Sequence, residues 1–338
     1  MAPMKYYYEL TISSSPHVHS PVTTQTIMRD VLIALAPALI GSVYFFGFRA
    51  LTVTMVSVLA CFLFEKLWCK LLKQNDKTYD LSACVTGVLL AFVCPPTIAY
   101  WQIVLGALFA IILVKMLFGG IGRNIVNPAL AGRAFMFSWP VAMSTWVKVG
   151  FGNAVGPFAN VDPAKLVADG VTAATPLANM HLGQMPDVAI ADMFWGNIGG
   201  CIGETSAFLL LIGFVYLLVR KVITPRIPLV YMGTVALLTV LFPMGNDPIQ
   251  WMLAHLFGGG LMLGAIFMAT DYVTSPITKL GQVGYAIGCG ALTVLIRYFG
   301  GYNEGVSYAI LVMNGFVVLF DRIGRPTKYG APKKEATK

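Results

Sequence analysis

The apolar stretch that decides the fold is Val31–Phe48, with the sequence VLIALAPALIGSVYFFGF and no charged side chain. A helix needs about 20 mostly apolar residues to cross a bilayer. The sequence therefore predicts an all-α polytopic membrane protein with about ten transmembrane helices, because further apolar segments of near-spanning length follow. These segments are Ala50–Trp68, Leu81–Thr97, Tyr100–Phe118, Pro128–Trp146, Gly199–Val219, Leu229–Phe242, Trp251–Thr270, Val283–Phe299 and Gly305–Phe320.

The composition agrees with a membrane protein and excludes an ordinary soluble one. Of the 338 residues, 57% are hydrophobic and only 11% are charged, whereas a soluble domain carries roughly 25% charged residues. The six cysteines are scattered without metal spacing, mostly in apolar segments. We interpret them as small packing residues rather than iron–sulfur ligands. The net charge of +8 does not indicate nucleic-acid binding, because its distribution follows the membrane topology.

The basic residues predict the orientation of the ten segments. Most of the 23 lysines and arginines fall on the same side as the N-terminus, and only Arg49, Lys148, Lys165 and Arg297 fall on the other side. Lys115 and Arg133 lie too deep in apolar segments to be assigned. The positive-inside rule then places both termini in the cytoplasm of a cell with an inner (cytoplasmic) membrane. The loop over residues 148–195 is expected to be extracytoplasmic.

A faint internal repeat divides the membrane part into two halves. Phe118-Gly119-Gly120 recurs as Phe299-Gly300-Gly301, and Pro95 falls on Pro276 at the same offset. Five segments per half is an odd number, so the halves would have opposite orientations, as in many transporters. The alternative is chance matching among Gly-rich and Phe-rich segments. The predicted divisions are a cytoplasmic segment at 1–30, a first repeat at 31–147, the loop at 148–195, a second repeat at 196–321 and a basic cytoplasmic tail at 322–338.

The loop contains a candidate attachment site, Asp169-Gly170-Val171-Thr172-Ala173-Ala174-Thr175. Small neighbours leave the Thr175 hydroxyl unshielded, and Pro176 biases Thr175 toward an extended conformation. The pattern resembles the sequence at which a flavin transferase esterifies the phosphate of FMN onto the last threonine. The alternative is an ordinary polar loop, because Asp, Gly and Thr are common turn residues.

Several further motifs, in order along the chain, identify a family resemblance. The chain resembles the family formed by the D subunit of the Rnf electron-transport complex and, more distantly, the B subunit of the sodium-translocating NADH:quinone reductase. Its loop departs mildly from the family pattern, because Thr172-Ala173 stands where Ser or Thr and Gly are usual. The motifs are Ser15-Pro16-His17, Ile27-Met28, Thr86-Gly87, Pro95-Pro96, Gly119-Gly120-Ile121-Gly122-Arg123-Asn124, Asn127-Pro128-Ala129, Gly203-Glu204-Thr205-Ser206 and Asp271-Tyr272 with Thr274-Ser275-Pro276.

The resemblance implies a redox protein that is not active outside its complex. FMN would be held by a phosphoester to Thr175, with Asp169, Thr172 and Ala174 completing the attachment motif. A second, non-covalent flavin (riboflavin or FMN) would lie inside the membrane domain. Electrons would pass between ferredoxin and NAD, coupled to sodium or proton translocation. The implied partners are the other Rnf subunits (A, B, C, E and G), a flavin transferase for maturation, and membrane lipid.

Polar residues at membrane depth supply further candidates. The Gly-rich break at Gly119–Gly132 would place Arg123, Arg133 and Asn127 near a phosphate or flavin. Alternatively, Arg123 would mark the cytoplasmic border and the glycines would permit close helix packing. We expect Glu204 to have an ion-pair partner or a functional role, because inserting an acidic residue at the centre of a membrane helix costs roughly 2.5–3.5 kcal/mol of free energy. It would bind a cation or a flavin, or act as an ordinary acid at a helix N-terminus. Asp271 would ligate sodium or cap a helix.

Two other functions remain open from the sequence. One is a flavin-free, inverted-repeat solute transporter. Only the attachment motif that ends at Thr175 and the family motifs favour the redox protein over this alternative. The other is a component like the B subunit of the quinone reductase. We expect no NADH oxidation by this chain alone, because the sequence contains no recognisable dinucleotide-binding fold.

Overall fold

A computed structural model describes residues 22–73, 78–146, 156, 176–301 and 304–324. These residues form helices and no strand, which confirms the all-α prediction. The attachment motif, with Asp169, Thr172, Ala174 and Thr175, lies outside the described residues. The helices are α1 (Thr24–Phe46), α2 (Phe48–Leu71), α3 (Ser82–Phe92), α4 (Tyr100–Leu108), α5 (Pro128–Met136), α6 (Pro140–Met143), α7 (Pro176–His181), α8 (Ile190–Trp195), α9 (Ala207–Val219), α10 (Arg226–Leu241), α11 (Pro248–Phe257), α12 (Leu261–Leu263), α13 (Lys279–Phe299), α14 (Val306–Gly315) and α15 (Val317–Arg322).

Each of the ten apolar segments contains at least one helix, but the helices differ in length. Three are long and apolar enough to cross a membrane, namely α1, α2 and α13. A fourth span is formed if α11 and the helix over Leu261–Met268, which meet at 62°, are taken together. The remaining apolar helices are α3, α9, α10, α14 and the helix over Tyr100–Met116, each of 10 to 17 residues. The chain is therefore a multi-helix membrane protein that contains several short or broken helices.

Side-chain caps fix where several helices begin. The Thr23 side chain accepts a hydrogen bond from the backbone N–H of Thr26 and caps α1. Asn127 caps α5, with Pro128 at the first helical position, and Asp247 caps α11 in the same way. Such caps satisfy backbone donors that the first helical turn leaves unpaired. The membrane helices thus begin at defined residues even where the surrounding sequence is apolar.

Three predicted segments are divided between two helices, the third being Gly305–Phe320 with α14 and α15. The breaks in the other two have a local cause. Within the segment Pro128–Trp146, α5 ends at Met136 and α6 begins at Pro140. Proline is favoured at the start of a helix and disfavoured in its interior, so Pro140 begins a new helix. The segment Trp251–Thr270 turns at Gly258–Gly260. Gly260 has φ +67°, a conformation that side chains other than glycine rarely adopt.

The helices of the two halves interlock around one large apolar core. In the first half α2 packs against α3 and α4, and in the second half α10 packs against α11 and α13. Between the halves, α1 packs along α9 and α5 packs against α14. Asp30 of α1 forms a salt bridge of 3.0 Å with Arg220, which follows α9. This arrangement places α5 between the halves, with a different cavity at each of its ends.

Candidate functional site

A buried ionic cluster lies at the C-terminal end of α5. Arg133 of α5 donates hydrogen bonds from Nη1 to Glu204 Oε1 at 3.4 Å and to Ser307 Oγ at 2.7 Å. Its Nη2 donates to Glu304 Oε2. The Arg133 side chain is only 2% exposed. One guanidinium therefore holds carboxylates that come from two distant parts of the chain.

The segment that carries Glu204 is held against the end of α3. The backbone N–H groups of Ile202 and Gly203 donate to the carbonyls of Cys94 and Phe92, at 2.9 Å each. These carbonyls lie at and just beyond the end of α3, where the helix leaves its last acceptors unpaired. A Cβ on Gly203 would lie 2.2 Å from the Phe92 ring, so only glycine permits this approach. Glu204 then lies before Ser206, which caps α9.

A second buried arginine completes the charge balance of the cluster. Arg297 of α13 donates from Nε to the carbonyl of Glu304 at 3.0 Å. Its Nη atoms donate to the carbonyls of His255, Gly258 and Gly259, which lie at the bend between α11 and α12. Arg297 thus satisfies carbonyls that the break in this segment leaves free. Two arginines and two glutamates give the buried cluster no net charge.

The acids of the cluster, together with Cys201, also meet the distance requirement for a metal site. The ligand atoms of Cys201, Glu204 and Glu304 lie within 4.8 Å of one another. Arg133, however, already contacts both carboxylates, and its positive charge would repel a cation at this position. The geometry therefore favours an ion-pair cluster over a metal centre.

The ionic cluster adjoins Pro176, the residue after the attachment motif, and a cavity. Pro176, the first residue of α7, is buried and lines a small cleft with Cys201, Glu204 and Glu304. On the other side of Arg133 is a cavity of about 140 Å³, which we call the Tyr308 cavity. Its walls include Phe137, Trp146, Glu304, Ser307 and Tyr308. Arg133 Nε is buried and has no hydrogen-bond partner among the described residues.

The opposite end of α5 borders a larger cavity of about 280 Å³, which we call the Asn127 cavity. Most of its wall is apolar and comes from α1, α3, α9 and the Ile266–Phe267 segment. The polar groups in the wall include Lys115, Asn124, Asn127 and Asp271. The nine residues of α5 correspond to a helix of about 14 Å at 1.5 Å per residue. One short helix therefore connects the two cavities.

The structure separates the sequence-predicted site residues into two groups. Asn127 and Asp271 both line the Asn127 cavity, and Glu204 lies in the ionic cluster beyond the other end of α5. Arg123 is exposed and is not part of either cavity wall. Asp271 accepts a hydrogen bond from Thr274 Oγ1 at 3.1 Å. The expectation that Glu204 has a partner is confirmed, because Arg133 pairs with it.

Several site residues were not among the predicted ones. Lys115 was noted only as too deep to orient, Arg133 was proposed as a donor to a phosphate or flavin but not as a partner of Glu204, and Glu65, Glu304 and Arg297 were not proposed. Their common signal is an ionisable side chain within or beside an apolar segment, which marks a functional candidate in membrane proteins. Their pairing joins residues far apart in the chain, so the sequence could not show it.

Comparison with known proteins gives similarity over nearly the whole chain. Residues 11–330 match the family described as the NQR2, RnfD, RnfE family. The chain is 45% identical to the D subunit of the Na⁺-translocating ferredoxin:NAD⁺ oxidoreductase complex of Acetobacterium woodii, covering 97% of this chain and 98% of the relative. It is 42% identical to the D subunit of the proton-translocating complex of Clostridium ljungdahlii, covering 95% and 96%. It is 38% identical to the D subunit of an ion-translocating oxidoreductase complex of Stutzerimonas stutzeri, covering 90% and 91%.

Proposed function

Because this chain belongs to the NQR2, RnfD, RnfE family, we propose that it is the RnfD component of an ion-translocating ferredoxin:NAD⁺ oxidoreductase (Rnf) complex. The observation that carries the proposal is the full-length similarity to D subunits of such complexes. As one component, it would work with the other Rnf subunits (A, B, C, E and G) in the cytoplasmic membrane. The names of its relatives differ in the translocated ion, which is Na⁺ in one and the proton in another. The proposal therefore includes ion translocation but does not choose between sodium and protons.

Within this proposal, FMN is attached by a phosphoester to Thr175. The support is the attachment motif in the sequence and the position of Pro176, the next residue, beside the ionic cluster. The Tyr308 cavity, of about 140 Å³, is too small to enclose a flavin, but its aromatic walls and the buried arginine with an unpaired Nε offer contacts to one edge of a flavin ring. A bound flavin would supply electron transfer, and the residues around it would supply position and charge.

A second, non-covalent flavin (riboflavin or FMN) fits the Asn127 cavity. The volume of about 280 Å³ is near the lower end of small-molecule sites, which run from about 300 to 1,000 Å³. The apolar wall suits the benzenoid part of a flavin, and Lys115, Asn124 and Asn127 offer hydrogen-bond donors to its polar part. Asp271, an acid on the same wall, stays our candidate for a cation ligand.

The two inverted five-helix repeats and ten spans are part of the same proposal. At the offset that relates Pro95 to Pro276, α1, α2, α4 and α5 fall on α9, α10, α13 and α14. Each half also contains a short or broken helix at the corresponding place, α3 in one and α12 in the other. Functional sites of inverted-repeat proteins lie where the repeats meet, and both cavities border α5 at that junction.

The test of the covalent flavin compares Thr175→Ala with Thr172→Ala. Both variants are expressed with the flavin transferase and separated by denaturing gel electrophoresis, in which only covalently bound flavin stays fluorescent in the band. We expect Thr175→Ala to abolish the fluorescence and Thr172→Ala to retain at least some of it. A fluorescent Thr175→Ala band, with mass spectrometry placing FMN on another residue, would overturn the attachment site. A wild-type protein without any flavin absorbance would favour the transporter alternative.

A further inference from the structure

A buried ion pair stands beside the Asn127 cavity, outside the ionic cluster. Lys115 Nζ donates to Glu65 Oε2 of α2 at 2.7 Å and to Ser82 Oγ of α3 at 2.6 Å. The Lys115 and Glu65 side chains are each 3% exposed. Ser82 Oγ in turn donates to Asp80 Oδ1 at 2.6 Å. Lys115 is therefore held by one carboxylate directly and by a second through a hydroxyl.

The local helix geometry at Lys115 is unusual. The helix that begins at Tyr100 changes to a π-helix over Phe109–Met116, so Lys115 lies in its last turn. π-Helical turns are rare and occur frequently at functional sites. The surrounding sequence, FAIILVKM, is otherwise apolar. A charged pair in such a place is costly to bury, and packing alone would not require it.

The pair is also placed to act on whatever occupies the cavity. Among the described residues that line the Asn127 cavity, Lys115 is the sole basic side chain and Asp271 is the sole acidic one. The wall around them is mostly apolar, so charges interact there more strongly than they would in water. A negative charge inside the cavity would therefore be attracted by Lys115 and repelled by an ionised Asp271.

We propose that Lys115 balances the negative charge that an electron brings into the Asn127 cavity, and that Glu65 limits how much of the lysine's charge is available. This inference rests on the proposed non-covalent flavin. One electron delivered by a reduced flavin or iron–sulfur donor of the complex adds one negative charge to the cavity. No covalent bond changes and Lys115 keeps its protons. Lys115 acts directly on the cavity, whereas Glu65 is a positioning residue that acts through Lys115.

The proposal predicts the direction in which each substitution moves the reduction potential. Lys115→Met removes the positive charge, so the potential of the non-covalent flavin becomes more negative. Glu65→Gln leaves the lysine uncompensated, so the potential becomes less negative. The double variant Lys115→Met/Glu65→Gln is neutral like the parent pair and returns the potential toward the parent value. Lys115→Arg keeps the charge and shifts it least. The Asp271 carboxylate is present in every variant and does not change the order.

The experiment uses the full-length chain with Thr175→Ala, so that covalent flavin does not overlap in the spectrum. Acid extraction first measures the non-covalent flavin, and a redox titration then follows its absorbance in each variant. We expect Lys115→Met and Glu65→Gln each to change the equilibrium constant of one-electron reduction at least tenfold, which is about 59 mV. Lys70→Met, at an exposed lysine of the same helix as Glu65, is the matched control and should leave the potential unchanged.

The outcomes separate the two proposals. If extraction finds no flavin in the parent protein, the proposed second flavin is wrong and this inference falls with it. If flavin is present but Glu65→Gln and Lys115→Met do not move the potential in opposite directions, only the role of the ion pair is overturned. If Lys115→Met loses its flavin, Glu65→Gln is compared with the parent and with Lys115→Arg. A potential of Glu65→Gln that is not less negative than both then overturns the role of the ion pair.

Discussion

Arg133 is the residue on which the ionic cluster depends, because it contacts Glu204, Glu304 and Ser307 with one guanidinium group. A buried charge pair contributes little net stability, but removing one partner leaves the other charge uncompensated. Here the loss of Arg133 would expose two carboxylates to that cost. The planar guanidinium of arginine also holds five N–H donors in a fixed fork, whereas the donors of a lysine all lie on one nitrogen.

We therefore expect Arg133→Met to be strongly destabilising, by about 3–5 kcal/mol. Adding Glu204→Gln and Glu304→Gln to Arg133→Met should recover much of the loss, because no carboxylate is then left without its arginine, and Arg297 keeps its backbone carbonyl acceptors. The measurement is the thermal midpoint of the detergent-solubilised protein, followed by size-exclusion chromatography. A melting temperature for Arg133→Met equal to that of the parent would show that the buried contacts do not hold the fold.

At the scale of elements, α5 is short, and its position depends on Asn127, the residue that caps its start. The Asn127 side-chain oxygen accepts hydrogen bonds from the backbone N–H groups of Ala129 and Leu130 at 3.0 and 3.4 Å. The Asn127 amide nitrogen donates to the carbonyl of Met268 at 3.4 Å. One residue thus starts the helix that connects the two cavities and ties it to the second half.

Substitution at Asn127 can separate the helix cap from the link to Met268. Asn127→Ala loses both, and we expect a loss of stability of about 1 kcal/mol from the cap. Asn127→Ser keeps a good capping oxygen but not the amide donor, so it should retain most of the stability. Thermal unfolding of the two variants side by side gives the difference. Equal melting temperatures for Ala and Ser would mean that the cap contributes nothing to stability at this position.

At the scale of the whole molecule, the two ends of α5 define an axis across the protein. The Asn127 cavity is lined by residues near the start of α1 and the end of α9. The Tyr308 cavity is lined by Trp146 and by residues just before α14. The distribution of basic residues along the sequence predicts that the helix ends bordering the Asn127 cavity face the cytoplasm. The Tyr308 cavity and the Thr175 loop would then face the other side.

This orientation predicts that Lys77 and Thr327 are cytoplasmic and that Lys165 is outside. Single cysteines at these positions, in a background without accessible native cysteines, are labelled in intact cells with an impermeant thiol reagent. We expect Lys165→Cys to react without permeabilisation, and Lys77→Cys and Thr327→Cys to react only after it. The native cysteines give little background, because five of the six are buried. Labelling of Lys165→Cys from the cytoplasmic side alone would reverse the topology.

The sequence by itself determined the membrane class, the position of the apolar segments and the family. These properties depend on composition, apolar length and short local motifs such as Asn127-Pro128, which are readable along one stretch of chain. Glu204 was also identified, because an acid beside an apolar segment requires a partner.

Only the tertiary structure decided which partner each buried charge has. Arg133 meets Glu204 and Glu304, and Lys115 meets Glu65, although these residues are far apart in the chain. The breaks at Met136–Pro140 and Gly258–Gly260 have local causes in Pro140 and Gly260, but the apolar pattern continues across both bends and therefore predicted unbroken segments. The physical reason is that burial in a low-dielectric interior selects charge pairs by distance in space, which a linear pattern does not contain.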